Sequence, residues 1–480
     1  MLKSVSRRDF LRFASLGGAG VLLAACAPKV VEVTKLVERV VQETVIVEGE
    51  VKTVEKVVKE TVVVEKVVEK EPAASTEKIV RVIIDSWAVG EIPFDATARE
   101  YSAAHDGVTV EIQTRAEGWD TKILAGIKAG SVQWSGLGIM STDYHPAKWV
   151  ESGLIQAMDD YVAASKEPGA DTILTDMIPT VKAAGVYKGK LIGLPYSFEN
   201  CTFNWRTDYL NAIGVTEPPA DWEEWIRIAQ ELKKWGADEQ IYATCIVKDM
   251  TTTLMALLSG TTRTPYTDEG LVDWGGDKML EVFSFIHKLV VEEELTPPHG
   301  YDGWLDAFYS GKVATVHAQS SRGVWGQNAF GTDKMTTSPM VRQYAGGGSG
   351  APYWGNDVSI VKEAIYPQEA TDYLIYTMGP QNLGFQKTVI KTGKTPVYES
   401  IYESVIKGDP QFRMYQWMIA ERDDVADSVP LPQTTYVDIQ YSAYNKYYTL
   451  FTEPGATMAP EEIAQSILKE VKEEVAKQKL

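Results

Sequence analysis

Cysteine and histidine are scarce here, three and five among 480 residues. The histidines (His105, His145, His287, His299, His317) lie too far apart for a zinc-binding helix motif, and no CxxC pair exists. Beyond Cys26 only Cys201 and Cys245 remain. They pair as one disulfide in an oxidising compartment or stay as two buried thiols. Basic residues are in deficit too, 47 Lys and Arg against 66 Asp and Glu, for a formal charge of −19. Nucleic acid, whose phosphates demand Lys and Arg, is a poor partner for such a chain, and anionic lipid repels it. Thr392-Gly393-Lys394-Thr395 looks like the end of a phosphate-binding loop, but Thr388 stands where the upstream glycine is required, so the match is discarded. No cofactor and no metal is expected.

The N-terminal apolar run is not a membrane span. It is uncharged only from Phe13 to Ala25 and carries three glycines, whereas a spanning helix needs about 20 apolar residues. A positive stretch, an apolar stretch and small residues in that order make an export signal over residues 1–25. Arg7 and Arg8, within Ser6-Arg-Arg-Asp-Phe-Leu-Arg12, resemble the twin-arginine export signal. Leu23-Ala24-Ala25-Cys26 resembles the bacterial lipobox, which implies that Cys26 becomes a lipidated N-terminus. An uncleaved signal anchor is the alternative. Each buried lipid CH2 contributes about 0.8 kcal/mol, so the acyl chains hold an extracytoplasmic body on the cell membrane without spanning it. Cleavage removes Lys3, Arg7, Arg8, Arg12 and Asp9, leaving the mature chain more acidic still.

Residues 26–76 follow as a stalk of Val, Glu, Lys and Thr with no aromatic residue. Val30, Val37, Val51 and Val58 share one heptad position, and Val33, Val40, Val47, Val54 and Val68 share another. Thr44, Thr61 and Glu65 interrupt the pattern. A helix or weak coiled coil, an extended spacer and a strand are all open. A helical stalk reaches about 70 Å and an extended one up to roughly 150 Å. A coiled coil would also make the stalk an oligomerisation element.

Residues 77–480 are too many for one core, since chains beyond about 250–300 residues split into domains. Strands are expected at Ile79–Ile84, Val108–Gln113 and Leu137–Met140, with helices at Asp95–Ala104 and Trp119–Lys128 between them. That alternation is the βαβ pattern of a parallel sheet. Trp222–Trp235, Lys278–Val291, Pro367–Met378 and Glu461–Lys477 read as further helices; the last places Ile463, Ile467, Leu468 and Val471 on one face.

A series of blocks in order carries a resemblance. Trp87 ends the first strand, and Trp119-Asp120 opens a helix. Trp149-Val-Glu-Ser-Gly-Leu-Ile155 precedes Met158-Asp159-Asp160-Tyr161. Gly189-Lys190-Leu-Ile-Gly193-Leu-Pro195 is followed by Trp205-Arg206-Thr207-Asp208-Tyr209-Leu210, Pro218-Pro219 and Asp221-Trp222-Glu223-Glu224. Ala307-Phe308-Tyr-Ser-Gly311-Lys312-Val-Ala314 and Thr395-Pro396-Val397 close the set. The body thereby resembles extracellular solute-binding proteins of ABC importers, the large class typified by maltose-binding protein. The loop around Trp134 departs from the family's usual Pro-Asp.

The resemblance implies an α/β, two-lobe periplasmic-binding-protein-like fold (type II) with a hinge and a ligand cleft between the lobes. It places the N-lobe at 77–185 plus about 339–378, the C-lobe at 186–338 plus about 379–455, and a terminal helix at 456–480. The implied partners are a small-molecule solute, most simply a sugar or oligosaccharide, and ABC permease subunits; the membrane is met through the lipid alone. No catalysis is expected. A secreted glycoside hydrolase, which needs two carboxylates about 5–10 Å apart, is the first alternative. A surface structural protein, or a receptor for a polyamine, peptide or anion, is the other. Ligand contacts are expected from aromatic and polar residues near strand ends: Trp87, Trp119, Asp120, Asp143, Tyr144, Glu199, Asn200, Arg322, Trp325, Trp354, Asn356, Asp357 and Tyr436. Arg322 would meet either a ligand carboxylate or a structural acid.

Overall fold

The computed structural model describes residues 30–47, 50–67, 77–116, 118–140, 145–297, 303–431, 434–452, 456 and 458–479. Arg7, Arg8, Cys26, Asp143 and Tyr144 lie outside the described residues. Residues 1–76 and 77–480 are separate compact units.

In the first unit, β1 (Val30–Val47) and β2 (Glu50–Val67) form an antiparallel hairpin, with Val30 opposite Val67 and Val47 opposite Glu50. Of the three conformations open to this segment, the strand is the one formed, and the heptad pattern does not produce a coiled coil. Valine and threonine are stiff at χ1, which disfavours helix and suits the pleated surface of a strand.

The second unit opens as expected. β3 (Lys78–Ile84), β4 (Val108–Thr114) and β5 (Gly136–Met140) are parallel, in the order β4-β3-β5, and helices Phe94–Ala104 and Trp119–Lys128 connect them. Short β6 (Ile155–Gln156) follows, then the small hairpin of β7 (Val186–Tyr187) and β8 (Lys190–Leu191). The long β9 (Leu194–Arg206) leads to β10 (Tyr242–Ile246), β11 (Val313–Gln319), β12 (Met335–Pro339) and β13 (Tyr353–Val361). One nine-stranded sheet results, in the order β10-β11-β9-β13-β5-β3-β4, with β12 on β9 and β6 on β13.

β9 belongs to two lobes at once. Its first half pairs with β13, from Leu194–Val358 to Asn200–Tyr353, and its second half pairs with β11 and β12. The side-chain pattern shows how. Leu194, Tyr196 and Phe198, all even positions, enter the first core, whereas Phe203 and Trp205, odd positions, enter the second. Side chains alternate across a strand, so the buried apolar face changes sides in the middle. The four residues at that changeover, Glu199, Asn200, Cys201 and Thr202, enter neither of these cores and are fully or nearly fully buried.

The two cores redraw the expected lobe boundaries. Apart from Val324, the first core draws on Val80–Phe198 and Tyr353–Val425; the second draws on Phe203–Val341 and Val437–Val475. Residues 379–425, expected in the C-lobe, therefore belong to the first lobe: Phe385, Val389, Tyr398, Tyr402, Phe412 and Met418 all pack into its core. Each such side chain contributes about 1.5–3 kcal/mol when fully buried. The helix Pro460–Gln478 docks on the second core through Ile463, Ala464, Ile467, Val471 and Val475. The chain thus passes between lobes near 199–202, 342–352 and 426–436. Two passages are bolted together by Arg342, 3.1 Å from Asp424, and by the Ala351 N–H donating to Asp424 at 2.9 Å.

The Trp134 loop is anchored by its indole N–H donating to Gln113 at 2.9 Å. Cys201 and Cys245 are free and buried. Burial pushes both thiols up, Cys245 to about 12, and pushes His317 down to about 3. The 3.3 Å contact between Cys201 Sγ and His317 Nδ1 therefore joins two neutral groups, not a nucleophilic pair. Among the described residues no helix is long and apolar enough to cross a membrane.

Candidate functional site

The register of β3 on β4 pairs Ile84 with Thr114 and so sets Asp85 beside Arg115, whose guanidinium lies 2.5 Å from the Asp85 carboxylate. Burial raises the Asp85 pKa and Arg115 opposes the rise. Trp87 follows within the short helix Ser86–Glu91 and is half-buried. Trp119 opens its own helix behind Gly118, a position with φ of +67° that favours glycine. Its ring meets Trp149 edge to face at 5.2 Å and lies 5.3 Å beneath Arg115. Asp120 is exposed beside it.

The centre of β9 supplies the second group. Glu199 sits in mid-strand opposite Trp354, where a loop after the strand was expected. Its carboxylate is 2.6 Å from Lys394 Nζ and accepts the Ser321 N–H at 3.4 Å. Burial raises the Glu199 pKa, but the charges of Lys394 and Arg322 and these hydrogen bonds outweigh it, and the group ends below the usual carboxylate range. Lys394 Nζ also lies 4.3 Å from the centre of the Trp87 ring, which ties the first strand's tryptophan to the crossing strand. Next to Lys394, Thr395 donates to Glu421 at 2.5 Å. Burial pushes Glu421 up to about 8, against the hydrogen bonds of Thr395, Ser320 and the Asn200 backbone and with the charge of Glu199 adding to the rise. Asn200, fully buried, has no hydrogen-bond partner on either side-chain polar atom.

Ser321 begins the helix Ser321–Phe330 directly after β11, so Arg322 and Trp325 project from its first turns. The Arg322 guanidinium lies 4.0 Å from the centre of the Trp325 ring and 6.0 Å from that of Trp304. The structure thus links Trp87, Glu199, Ser321, Arg322 and Trp325 through Lys394 and the start of one helix.

Other expected residues do not join this linked set. Trp354, Asn356 and Asp357 lie in the wholly buried β13 rather than in a loop after the Gly346–Gly350 run. Asn356 donates to Ser197 at 2.9 Å. Asp357 has no partner on either oxygen, and burial pushes it up to about 8. Tyr436 packs on the second core, its ring centre 5.9 Å from Lys479 of the terminal helix.

Lys394, Arg115 and Glu421 were not among the expected residues. Arg115 is the residue directly after the second strand, a position as telling as those that were chosen. Lys394 lay in the discarded phosphate-loop fragment. Its placement depends on Gly393, whose φ is +87° and whose Cα approaches Ser321 so closely that an added Cβ would come within 2.9 Å of the serine Cα.

Two α/β lobes, a strand that crosses between them and a polar cluster with tryptophans beside the crossing define a binding protein of the two-lobe class. The chain belongs to the bacterial extracellular solute-binding protein family, whose model matches residues 96–414. Its fold is that of solved sugar-binding proteins. A substrate-binding protein of an ABC transporter from Listeria monocytogenes, in complex with cycloalternan, is similar with a TM-score of 0.66 and 16% identity, covering 83% of this chain and 99% of that one. The sugar-binding protein MalE from Xanthomonas citri is similar at 0.67 and 14%, covering 84% and 99%. The maltotriose binding protein of Thermus thermophilus, bound with maltotriose, is similar at 0.64 and 16%, covering 83% and 100%. A relative from Brucella abortus (strain 2308), described only as a binding protein, is 24% identical over 163 residues, 33% of this chain. The chain spans 37% of the length of that relative.

Proposed function

We propose that this protein captures a sugar or oligosaccharide between its lobes and hands it to the permease of an ABC importer, without chemical change to the ligand. The observation that carries the reading is the linked set Trp87–Lys394–Glu199. An indole is pinned on one side by a cation, beside an ionised carboxylate that accepts hydrogen bonds. Aromatic faces take the C–H patches of a sugar and such carboxylates take its hydroxyls. Trp119 and Trp325 add further aromatic surface, and Asp143 and Tyr144 remain proposed contacts of the same site. Trp354, Asn356 and Asp357 support the site from within β13. Cys26 carries the lipid that keeps the body at the outer face of the membrane, after export directed by Arg7 and Arg8.

The experiment is a thermal-shift screen of the lipid-free body against a carbohydrate library. A ligand at 100 times its dissociation constant stabilises by about 2.7 kcal/mol. A shift with an amine or a peptide and none with any sugar overturns the substrate class. Turnover of an aryl-glycoside by the purified protein overturns the binding reading in favour of the hydrolase.

A further inference from the structure

The cluster around Glu199 carries an uncompensated positive charge. Lys394 is neutralised by Glu199, 2.6 Å away. Arg322 has no acid in contact: among the described residues it takes part in no ion pair within 4.0 Å, its Nε is buried without a hydrogen-bond partner, and the Tyr309 hydroxyl beside it is neutral. Glu199 acts on it only at a distance, because one carboxylate oxygen is taken by Lys394 and the other by the Ser321 N–H. Glu421, the other buried carboxyl here, is engaged by Thr395 and held in its neutral form by burial.

That vacancy is out of character for the chain. Acidic residues outnumber basic ones by 66 to 47, and most arginines among the described residues have found an acid. Arg81 pairs with Glu111, Arg115 with Asp85, Arg206 with Asp208 and Arg342 with Asp424. Of the others without an ion pair, Arg99 and Arg413 are exposed, where water solvates the charge. Arg322 is half-buried, with its guanidinium 4.0 Å from the centre of the Trp325 ring, a contact that helps hold it in place. A guanidinium with no acid in contact and a donor left unfilled is a group that a carboxylate can satisfy through two parallel hydrogen bonds.

We propose that the ligand is an acidic saccharide, a uronic-acid-containing sugar or oligosaccharide whose carboxylate is gripped by Arg322. This deepens the saccharide reading and rests on it. A neutral sugar would leave the guanidinium paired only with hydroxyls. A cationic ligand such as a polyamine would meet an unpaired positive charge. A charge-assisted hydrogen bond is roughly twice as strong as a neutral one, so discrimination on the order of 10–100-fold is expected.

The test is calorimetric titration at low salt with trigalacturonate, with the neutral trimer made by reducing its carboxyl groups, and with maltotriose. Wild type should bind trigalacturonate at least tenfold tighter than either neutral trimer. Arg322→Gln should lose 10–100-fold for trigalacturonate and change the neutral trimers less than threefold, with Arg322→Lys in between. If a neutral trimer binds as tightly as trigalacturonate or more so, or if Arg322→Gln weakens both classes equally, this inference is overturned and the saccharide reading stands. If no saccharide of either class shifts melting, both are overturned. Should Arg322→Gln fail to fold, the wild-type preference between the matched trimers decides.

Discussion

Replacing Lys394 by methionine isolates the central ion pair. Glu199 and Lys394 are 5% and 7% exposed, so water does little to solvate whichever charge is left alone. Removing one partner of a buried pair costs about 3–5 kcal/mol, since the other charge stays buried and uncompensated. For a lobe-sized unit that is a fall in Tm of about 6–20 °C. Removing both charges, as in Glu199→Gln with Lys394→Met, should restore most of the loss, because the glutamine oxygen still accepts the Ser321 N–H. The pH dependence fixes the cause. In wild type the Glu199 pKa is lowered, so the pair stabilises above the unfolded value of about 4.5 and fades as pH falls through the folded value. Without Lys394, burial is opposed only by the Ser321 hydrogen bond and the charge of Arg322, so that pKa rises and the buried charge penalises the fold at higher pH instead. The deficit of Lys394→Met should therefore be largest at pH 7–8 and shrink toward pH 4.5. The assay is tryptophan-monitored thermal unfolding of the two single variants and the double across that range. A Lys394→Met loss under about 1 kcal/mol at pH 7.5, or a double variant less stable than Lys394→Met, refutes the reasoning.

Asp357 is raised to about 8 by burial, so it subtracts stability progressively as pH rises from about 4 to about 8. Asp357→Asn should melt higher than wild type at pH 8 and alike near pH 4, read by Tm at the two values; parallel pH profiles refute it. Gly393→Ala strains a φ of +87° and drives a Cβ against Ser321. It should cost about 1–3 kcal/mol and weaken ligand binding by displacing Lys394, measured by chemical unfolding and titration. Cys201 and Cys245, buried with thiols pushed up, should not react with a disulfide reagent in the native body at pH 8, and both should react in denaturant. Native reactivity of either one refutes the burial.

The first parallel strands were legible because each is a short apolar or alternating run set between helices, and Trp119–Lys128, Trp222–Trp235 and Pro367–Met378 keep the bounds their patterns give. The crossing strand was illegible for a physical reason. A strand that serves two cores inverts its apolar parity midway, so Leu194–Arg206 shows no single alternation and Glu199 reads as a loop residue. β13 is buried on every residue and breaks the alternation in its own way. The return of residues 379–425 to the first lobe is a long-range packing result, with no local signal in the chain. Within the candidate site, strand ends and family blocks point to Trp87 and Glu199, which the structure links through Lys394. Lys394 was missed because its neighbours imitate a different motif, and only the approach of Gly393 to Ser321 reveals what that loop does.

The interleaving of the two cores constrains how the polypeptide can come to be folded. The first core needs residues as late as Val425, and the second needs the helix that ends at Gln478. A ribosome working from the N-terminus has therefore made nearly nine-tenths of the chain before even one lobe has all its parts. Neither lobe can be finished early and set aside while the other is made. The protein matures late and almost at once, and an export route that carries completed folds suits such a chain better than one that threads it outward piece by piece.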